Sequence, residues 1–217
     1  MRDFDAVLFD MDGVIFDSER VQRAIWCELA QEQGLGGMEE VYARCIGVTV
    51  PATGEILRAA YGADFPWERF RGETTRRYRA RYGGGRLPLK PGAALLPAQL
   101  RAAGKRLALA SSTPRSLVET WLKGAGLDRA FDVVVTGDEV AHSKPDPEIF
   151  LLAAARLGAE PERCCVIEDS FNGVRAGHAA GMHTLMVPDL LAPDGEMRRL
   201  AEAILPDLPA VWDYLSE

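Results

Sequence analysis

AVLFDMDGVIFDSE, residues 6–19, decides how this 217-residue chain folds. Ala6, Val7, Leu8 and Phe9 form an unbroken apolar run, which stops at Asp10-Met11-Asp12-Gly13. A short apolar run halted by acidic residues and a glycine reads as a buried strand ending in a turn. No partner strand comes next. From Asp17 to about Gln33 the pattern becomes helical instead. Val21, Ile25 and Leu29 share one face, and Asp17 or Ser18 stands where a helix cap is needed.

Outward from there, helices are expected around residues 51–61 and 67–82. This stretch carries almost no strand signal, and it closes on Gly83-Gly84-Gly85, Pro88, Pro91 and Gly92. Beyond it the texture changes. Helical patterns near residues 93–103, 115–124, 148–157 and 174–181 lead into apolar runs at 107–110, 133–136, 164–167 and 184–187. Ile204-Leu205 adds a short last strand before a terminal helix around residues 209–215. Strands alternating with helices at this spacing imply βαβ units and a parallel sheet. The predicted fold class is therefore α/β: a Rossmann-like parallel sheet with an inserted α-helical cap. The expected core is residues 1–15 and 88–217, and the cap is 16–87. The hinges fall near Phe16 and across residues 83–92.

The bulk properties limit the partners. Hydrophobic residues make up 47% of the chain, enough for a real core at this length. The net charge of -7 repels nucleic acid and anionic membranes, so neither is an expected partner. No oligomeric state is implied. Cys27, Cys45, Cys164 and Cys165 form no CxxC pair and read as buried free thiols. Three scattered histidines make no zinc site. The run at Ala6–Phe9 is too short for a signal peptide or a membrane span, and no other segment reaches spanning length. The reducing cytoplasm is the expected location.

Ligands of open parallel sheets bind at the carboxyl ends of the strands, so the residues just after each apolar run matter most. Asp10-Met11-Asp12-Gly13 comes after the first and Ser111-Ser112-Thr113-Pro114 after the second. Ser143-Lys144-Pro145-Asp146-Pro147 lies a little beyond the third, and Glu168-Asp169-Ser170 comes after the fourth. Gathered at one edge, these segments supply clustered carboxylates, a lysine and a hydroxyl-rich loop. Crowded carboxylates repel unless a cation sits among them, and their hard oxygens suit Mg²⁺. Lys144 adds positive charge for a phosphate. The hydroxyls of Ser111 and Ser112 precede a helix start, where free N–H groups bind anions. Phosphoryl transfer needs mainly positioning and charge neutralisation. No Ser or Cys has a nearby His to activate it, so the nucleophile is expected to be a carboxylate, with Asp10 at the strand end. Asp12, two residues on, is placed to act as general acid and base. The expected substrate is a small phosphorylated metabolite.

Asp10-Met11-Asp12-Gly13-Val14, Ser111, Lys144-Pro145-Asp146-Pro147 and Glu168-Asp169-Ser170 resemble the four signature segments of the haloacid dehalogenase superfamily. The resemblance is closest to its helical-cap phosphatases and β-phosphoglucomutases, and it runs in order across nearly the whole chain. It implies Asp10 as nucleophile, Asp12 as acid/base, and Ser111 and Lys144 as phosphate binders. It also implies Mg²⁺ held by the Asp10 carboxylate, the Asp12 backbone carbonyl and Asp169, with Glu168 close by. The insert would then be a mobile cap that shuts over the site.

Within that resemblance the alternative is a phosphoglucomutase. Such an enzyme carries an arginine shortly after a Gly-Val-Ser segment of the cap, and a histidine early in the first cap helix. Here the matching stretch is Gly47-Val48-Thr49-Val50, and Gln22 stands near the histidine position. Dehalogenases lack the second aspartate, and Asp12 is present. Non-catalytic proteins on this scaffold often lose a catalytic residue, and none is missing here. In the helix at 67–82, Trp67, Phe70, Thr74, Tyr78 and Tyr82 share a face. Arg69, Arg76 and Arg79 are expected in water on the other side, and Arg71 and Arg81, which flank the aromatic face, are the ones expected to look towards a substrate.

Overall fold

In the computed structural model, which describes residues 4–217, the first apolar run is strand β1 (Ala6–Phe9). It is followed by helices α1 (Ser18–Glu32), α2 (Met38–Ala43), α3 (Val50–Tyr61) and α4 (Trp67–Tyr82). Strands and helices then alternate: α5 (Leu96–Ala102), β2 (Arg106–Ser111), α6 (Arg115–Gly124), β3 (Val133–Thr136), α7 (Glu148–Leu157), β4 (Cys164–Glu168), α8 (Phe171–Ala179) and β5 (His183–Met186). A short helix α9 (Met197–Leu200), strand β6 (Ala203–Ile204) and helix α10 (Leu208–Ser216) complete the chain. The six strands form one parallel sheet in the order β3-β2-β1-β4-β5-β6. The order reverses between β1 and β4, which is where such sheets open a crevice for ligands.

Alternate residues of an extended chain point to opposite faces, and both faces here are covered. Val7 and Phe9 of β1 join Leu107 and Leu109 of β2 beneath α5, α6 and α10. Ala6 and Leu8 join Ala108 and Ala110 beneath α7 and α8. Two-sided burial explains why the strands read as unbroken apolar runs. Cys164 and Cys165 are buried in β4, whereas Cys27 and Cys45 are only half-buried; none of the four is in a disulfide.

Helices α1–α4 enclose an apolar core of their own around Trp26, Leu29, Leu57, Trp67 and Phe70. The Trp26 ring meets Tyr42 and Phe70 edge-on at 5.1 and 5.4 Å. The chain enters and leaves this unit through two segments that run antiparallel. Asp17 N donates to Pro88 O at 2.9 Å, and Lys90 N donates to Ile15 O at 2.9 Å. Charged groups reinforce the junction. Asp189, in the loop after β5, accepts from Lys90 Nζ at 2.7 Å and from Arg20 Nε at 3.1 Å, with its side chain 2% exposed. Asp17 lies 3.3 Å from the same Arg20 nitrogen. The exit connection, through Lys90, and helix α1, through Arg20, thus converge on one buried core carboxylate.

Two short helices, α2 and α9, carry no sequence signal, because six and four residues are too few to display a periodic face. Helix α8 starts at Phe171, three residues before the expected 174, because the Ser170 hydroxyl caps it by accepting from Gly173 N at 3.0 Å.

Candidate active site

Four strand ends meet at the β1–β4 crevice. Asp10 directly follows β1, and its N–H donates to Ile167 O of β4 at 3.0 Å. Lys144, from the loop before α7, reaches across to it. Its Nζ lies 2.5 Å from Asp10 Oδ1, 2.7 Å from Glu168 Oε1 and 3.1 Å from Ala110 O at the end of β2. The ammonium also sits 4.8 Å from the centre of the Phe150 ring. Burial works against the Lys144 charge, but Asp10 and Glu168 outweigh it and hold the ammonium above its ordinary pKa.

The carboxylates differ in their surroundings. Burial pushes the Asp10 carboxyl well up; Lys144 opposes this, and Glu168 and Asp12 add to it. Asp12 is raised by burial as well, against the hydroxyl of Thr113, which donates to Asp12 Oδ2 at 2.9 Å. Asp169 is pushed well above the usual range by burial first, then by Glu168, Asp10, Asp189 and Glu19, all in the same direction. Glu168 is fully buried and already engaged. Its Oε2 accepts from Asp169 N, Ser170 N and Ser170 Oγ, each at 3.0 Å.

The residue types fit a hard divalent cation. Oxygen atoms of Asp10, Glu168 and Asp169 lie within 4.8 Å of one another. One lysine cannot balance three carboxylates, and the charged groups that act most on Asp169 are all anionic. A cation held by these oxygens would remove that conflict.

Asp10, Asp12, Ser112, Lys144 and Asp169 all line one cavity of about 390 Å³. Ser111 does not line it: the residue is fully buried, and its hydroxyl accepts from Thr113 N at 3.1 Å. Other residues at the site carry little or no sequence signal. Thr113 is visible only as part of a hydroxyl run, Asn172 enters the cavity wall through the early start of α8, and Arg175 joins it from the next turn. Glu19 and Gly47 reach the wall from the helical unit. On α4, Arg81 pairs with Glu28 at 2.6 Å instead of facing a ligand, while Arg79, expected in water, borders a second cavity together with Arg71.

Two glycines let the backbone come close enough to build the site. Gly13 has φ +81°, and a Cβ there would collide with the Asp169 carboxylate. A Cβ on Gly173 would collide with the Glu168 carboxylate. Gly173→Ala therefore displaces a buried, fully hydrogen-bonded group. The expected cost is about 1–3 kcal/mol, as for overpacked cores. Gly72→Ala is the control, because that helical glycine has nothing near its Cβ. It should stabilise by about 0.5–1 kcal/mol. Urea unfolding of both variants checks the pair, and equal midpoints would contradict the packing argument.

Comparison with known proteins supplies an independent view. The sequence model of haloacid dehalogenase-like hydrolases matches residues 4–181. The chain is 34% identical over 181 residues to a Thermotoga maritima protein named phosphorylated carbohydrates phosphatase, covering 83% of each chain. It superposes with a TM-score of 0.84 on a hydrolase from Deinococcus radiodurans R1 solved with bound phosphate and sodium. That pair is 33% identical, with 99% of this chain and 96% of the other covered. Against CbbY from Rhodobacter sphaeroides in complex with phosphate the TM-score is 0.70, at 30% identity and 94% coverage of both chains.

Proposed function

The chain belongs to the haloacid dehalogenase-like hydrolases and is an enzyme of their phosphatase type; we propose that it cleaves small phosphate monoesters, sugar phosphates among them, with Mg²⁺ and through an aspartyl-phosphate on Asp10. The observation that carries this reading is the meeting of the Asp10, Glu168 and Asp169 oxygens within 4.8 Å, beside the buried Lys144 ammonium. Two relatives hold phosphate, and a third is named for phosphorylated carbohydrates, which supports the substrate class.

In the proposed reaction Lys144, Ser111 and Ser112 hold the oxygens of the phosphoryl group. An Asp10 oxygen attacks phosphorus while the bond to the ester oxygen breaks. Asp12, whose burial favours the protonated form, gives its proton to the departing alkoxide. Asp12 then takes a proton from water, the water oxygen attacks phosphorus, and the bond to Asp10 breaks to release phosphate. Mg²⁺ would be held by Asp10, Asp169 and the Asp12 carbonyl, with Glu168 at hand, and would neutralise phosphate charge. The engagement of both Glu168 oxygens favours a further role for it, holding Lys144 and the turn into α8.

Residues 16–87 act in this reading as a cap on a core of residues 1–15 and 88–217. The separate apolar core and the paired antiparallel connections support that division. Closure would exclude water until the alcohol has left. Hydrolysis is favoured over the mutase reaction because a mutase must hold a second phosphate in the cap. Val50 supplies no charge, and Arg71 is half-exposed and 3.6 Å from Glu68. Among the described residues no helix is long and apolar enough to cross a membrane, and four cysteines without a disulfide suit a reducing cytoplasm.

Phosphate release from p-nitrophenyl phosphate, with Mg²⁺ or with excess chelator, tests the reading. Activity is expected only with the metal, and Asp169→Ala should abolish it at any practical Mg²⁺ concentration. Full turnover in chelator would refute the metal dependence.

A further inference from the structure

A second cavity, of about 410 Å³, adjoins the catalytic one, and the two share Glu19, Ile46 and Gly47 in their walls. That volume suits the body of a small organic ligand. Its mouth is unusually apolar for a protein surface. Five large apolar side chains stand exposed among the described residues, and three of them border this cavity: Val48 at 41%, Val50 at 46% and Leu117 at 38%. Deeper in, the wall is formed by Trp26, Trp67, Tyr78 and Trp121. Several of its polar groups are already engaged. The hydroxyls of Thr53 and Thr74 donate to Thr49 O and Arg71 O, both at 3.0 Å. One Glu19 oxygen accepts from Tyr42 at 2.8 Å.

The cavity also lies on a particular side of the site. Tyr78 is raised by burial and, after that, by the charges of Asp12 and Glu19, so this wall is near the residue proposed to protonate the leaving oxygen. The phosphoryl group is assigned to Lys144, Ser111 and Ser112, none of which lines the second cavity. What remains for the second is the alcohol part of the ester.

We propose that this cavity selects phosphate monoesters whose alcohol carries a flat apolar body, an aromatic ring above all, over esters of bare sugars. The inference rests on the phosphatase reading and adds the substrate preference within it. An aromatic group would cover exposed Val48, Val50 and Leu117 and meet the rings of the inner wall, both favourable on transfer from water. A bare sugar would leave those exposed apolar groups in water, and the Thr53 and Thr74 hydroxyls already donate to the backbone and could not donate to its own.

The test is steady-state kinetics with Mg²⁺ on glycerol phosphate, glucose 6-phosphate, phenylethyl phosphate and naphthylethyl phosphate. All four release primary alcohols, so differences report the fit of the leaving group. The expected kcat/KM for naphthylethyl phosphate exceeds that for glucose 6-phosphate by about tenfold or more, equivalent to roughly 1.4 kcal/mol. Val50→Asp and Leu117→Asp, each at an exposed position, should lower the ratio of naphthylethyl to glycerol phosphate by about tenfold, on the order expected for losing an apolar contact. Glucose 6-phosphate as the better substrate, or a ratio unmoved by both variants, overturns the inference and leaves the phosphatase reading standing. Phosphate release from none of the four esters, nor from p-nitrophenyl phosphate, overturns the phosphatase reading and the inference together.

Discussion

Asp10→Asn is expected to leave a folded protein that releases no measurable phosphate from any ester. The amide matches the carboxylate in shape, so the turn after β1 can keep its backbone bond to Ile167. It lacks the anionic oxygen that would attack phosphorus, and no other carboxylate follows β1 so directly. Thermal stability should stay equal or rise. In the native protein, burial, Glu168 and Asp12 all disfavour the Asp10 charge, with only Lys144 opposing them. Lys144 keeps Glu168 as its partner at 2.7 Å in the variant, so the ammonium is not orphaned. Two measurements decide the matter: the melting temperature, and single-turnover phosphate release with acid-stable detection of labelled enzyme. Wild-type protein should trap label on Asp10, and the variant should trap none. Near-normal turnover by Asp10→Asn would falsify the covalent mechanism.

Asp12→Asn should lower kcat/KM on alkyl phosphates by about 10²–10⁴, the usual worth of a general acid or base. Asp12 is tied to the β2 loop through the Thr113 hydroxyl at 2.9 Å, and burial favours its protonated form, as an acid for an alkoxide leaving group requires. An aryl phosphate needs little protonation of its leaving oxygen, so its first step should be slowed much less. The second step still needs a base for water. The variant is therefore expected to show a burst of nitrophenol from p-nitrophenyl phosphate and then slow turnover. Stopped-flow absorbance reads both phases. Equal rates on alkyl phosphates for variant and wild type would remove Asp12 from the acid/base role.

The parallel sheet and the residues at its edge are legible in the sequence because each depends on short-range pattern. A strand buried on both faces is an apolar run, and the residue after the run stands at the carboxyl edge. Asp10, Asp12, Ser112, Lys144 and Asp169 all come from that rule, and they line one cavity. Ser111 stands at the strand end, as its place after the apolar run implies, and its buried hydroxyl accepts from Thr113 N and acts on the Asp12 carboxyl that lines this cavity.

The sequence by itself determined the alternation of the longer helices and strands, the parallel sheet and the residue types that stand at its carboxyl edge. These depend on residue type, periodicity and spacing, which are local. Tertiary structure alone decided the pairings. Lys144 meets Asp10 across 134 residues of chain, and Lys90 meets Asp189 across 99. Gly173 is required by the depth at which α8 seats against Glu168, and Arg79 rather than Arg81 borders the second cavity because Glu28 captures the latter. Such contacts depend on how helices rotate and settle against the sheet. Small changes in that packing move a side chain from one partner to another without changing any local pattern.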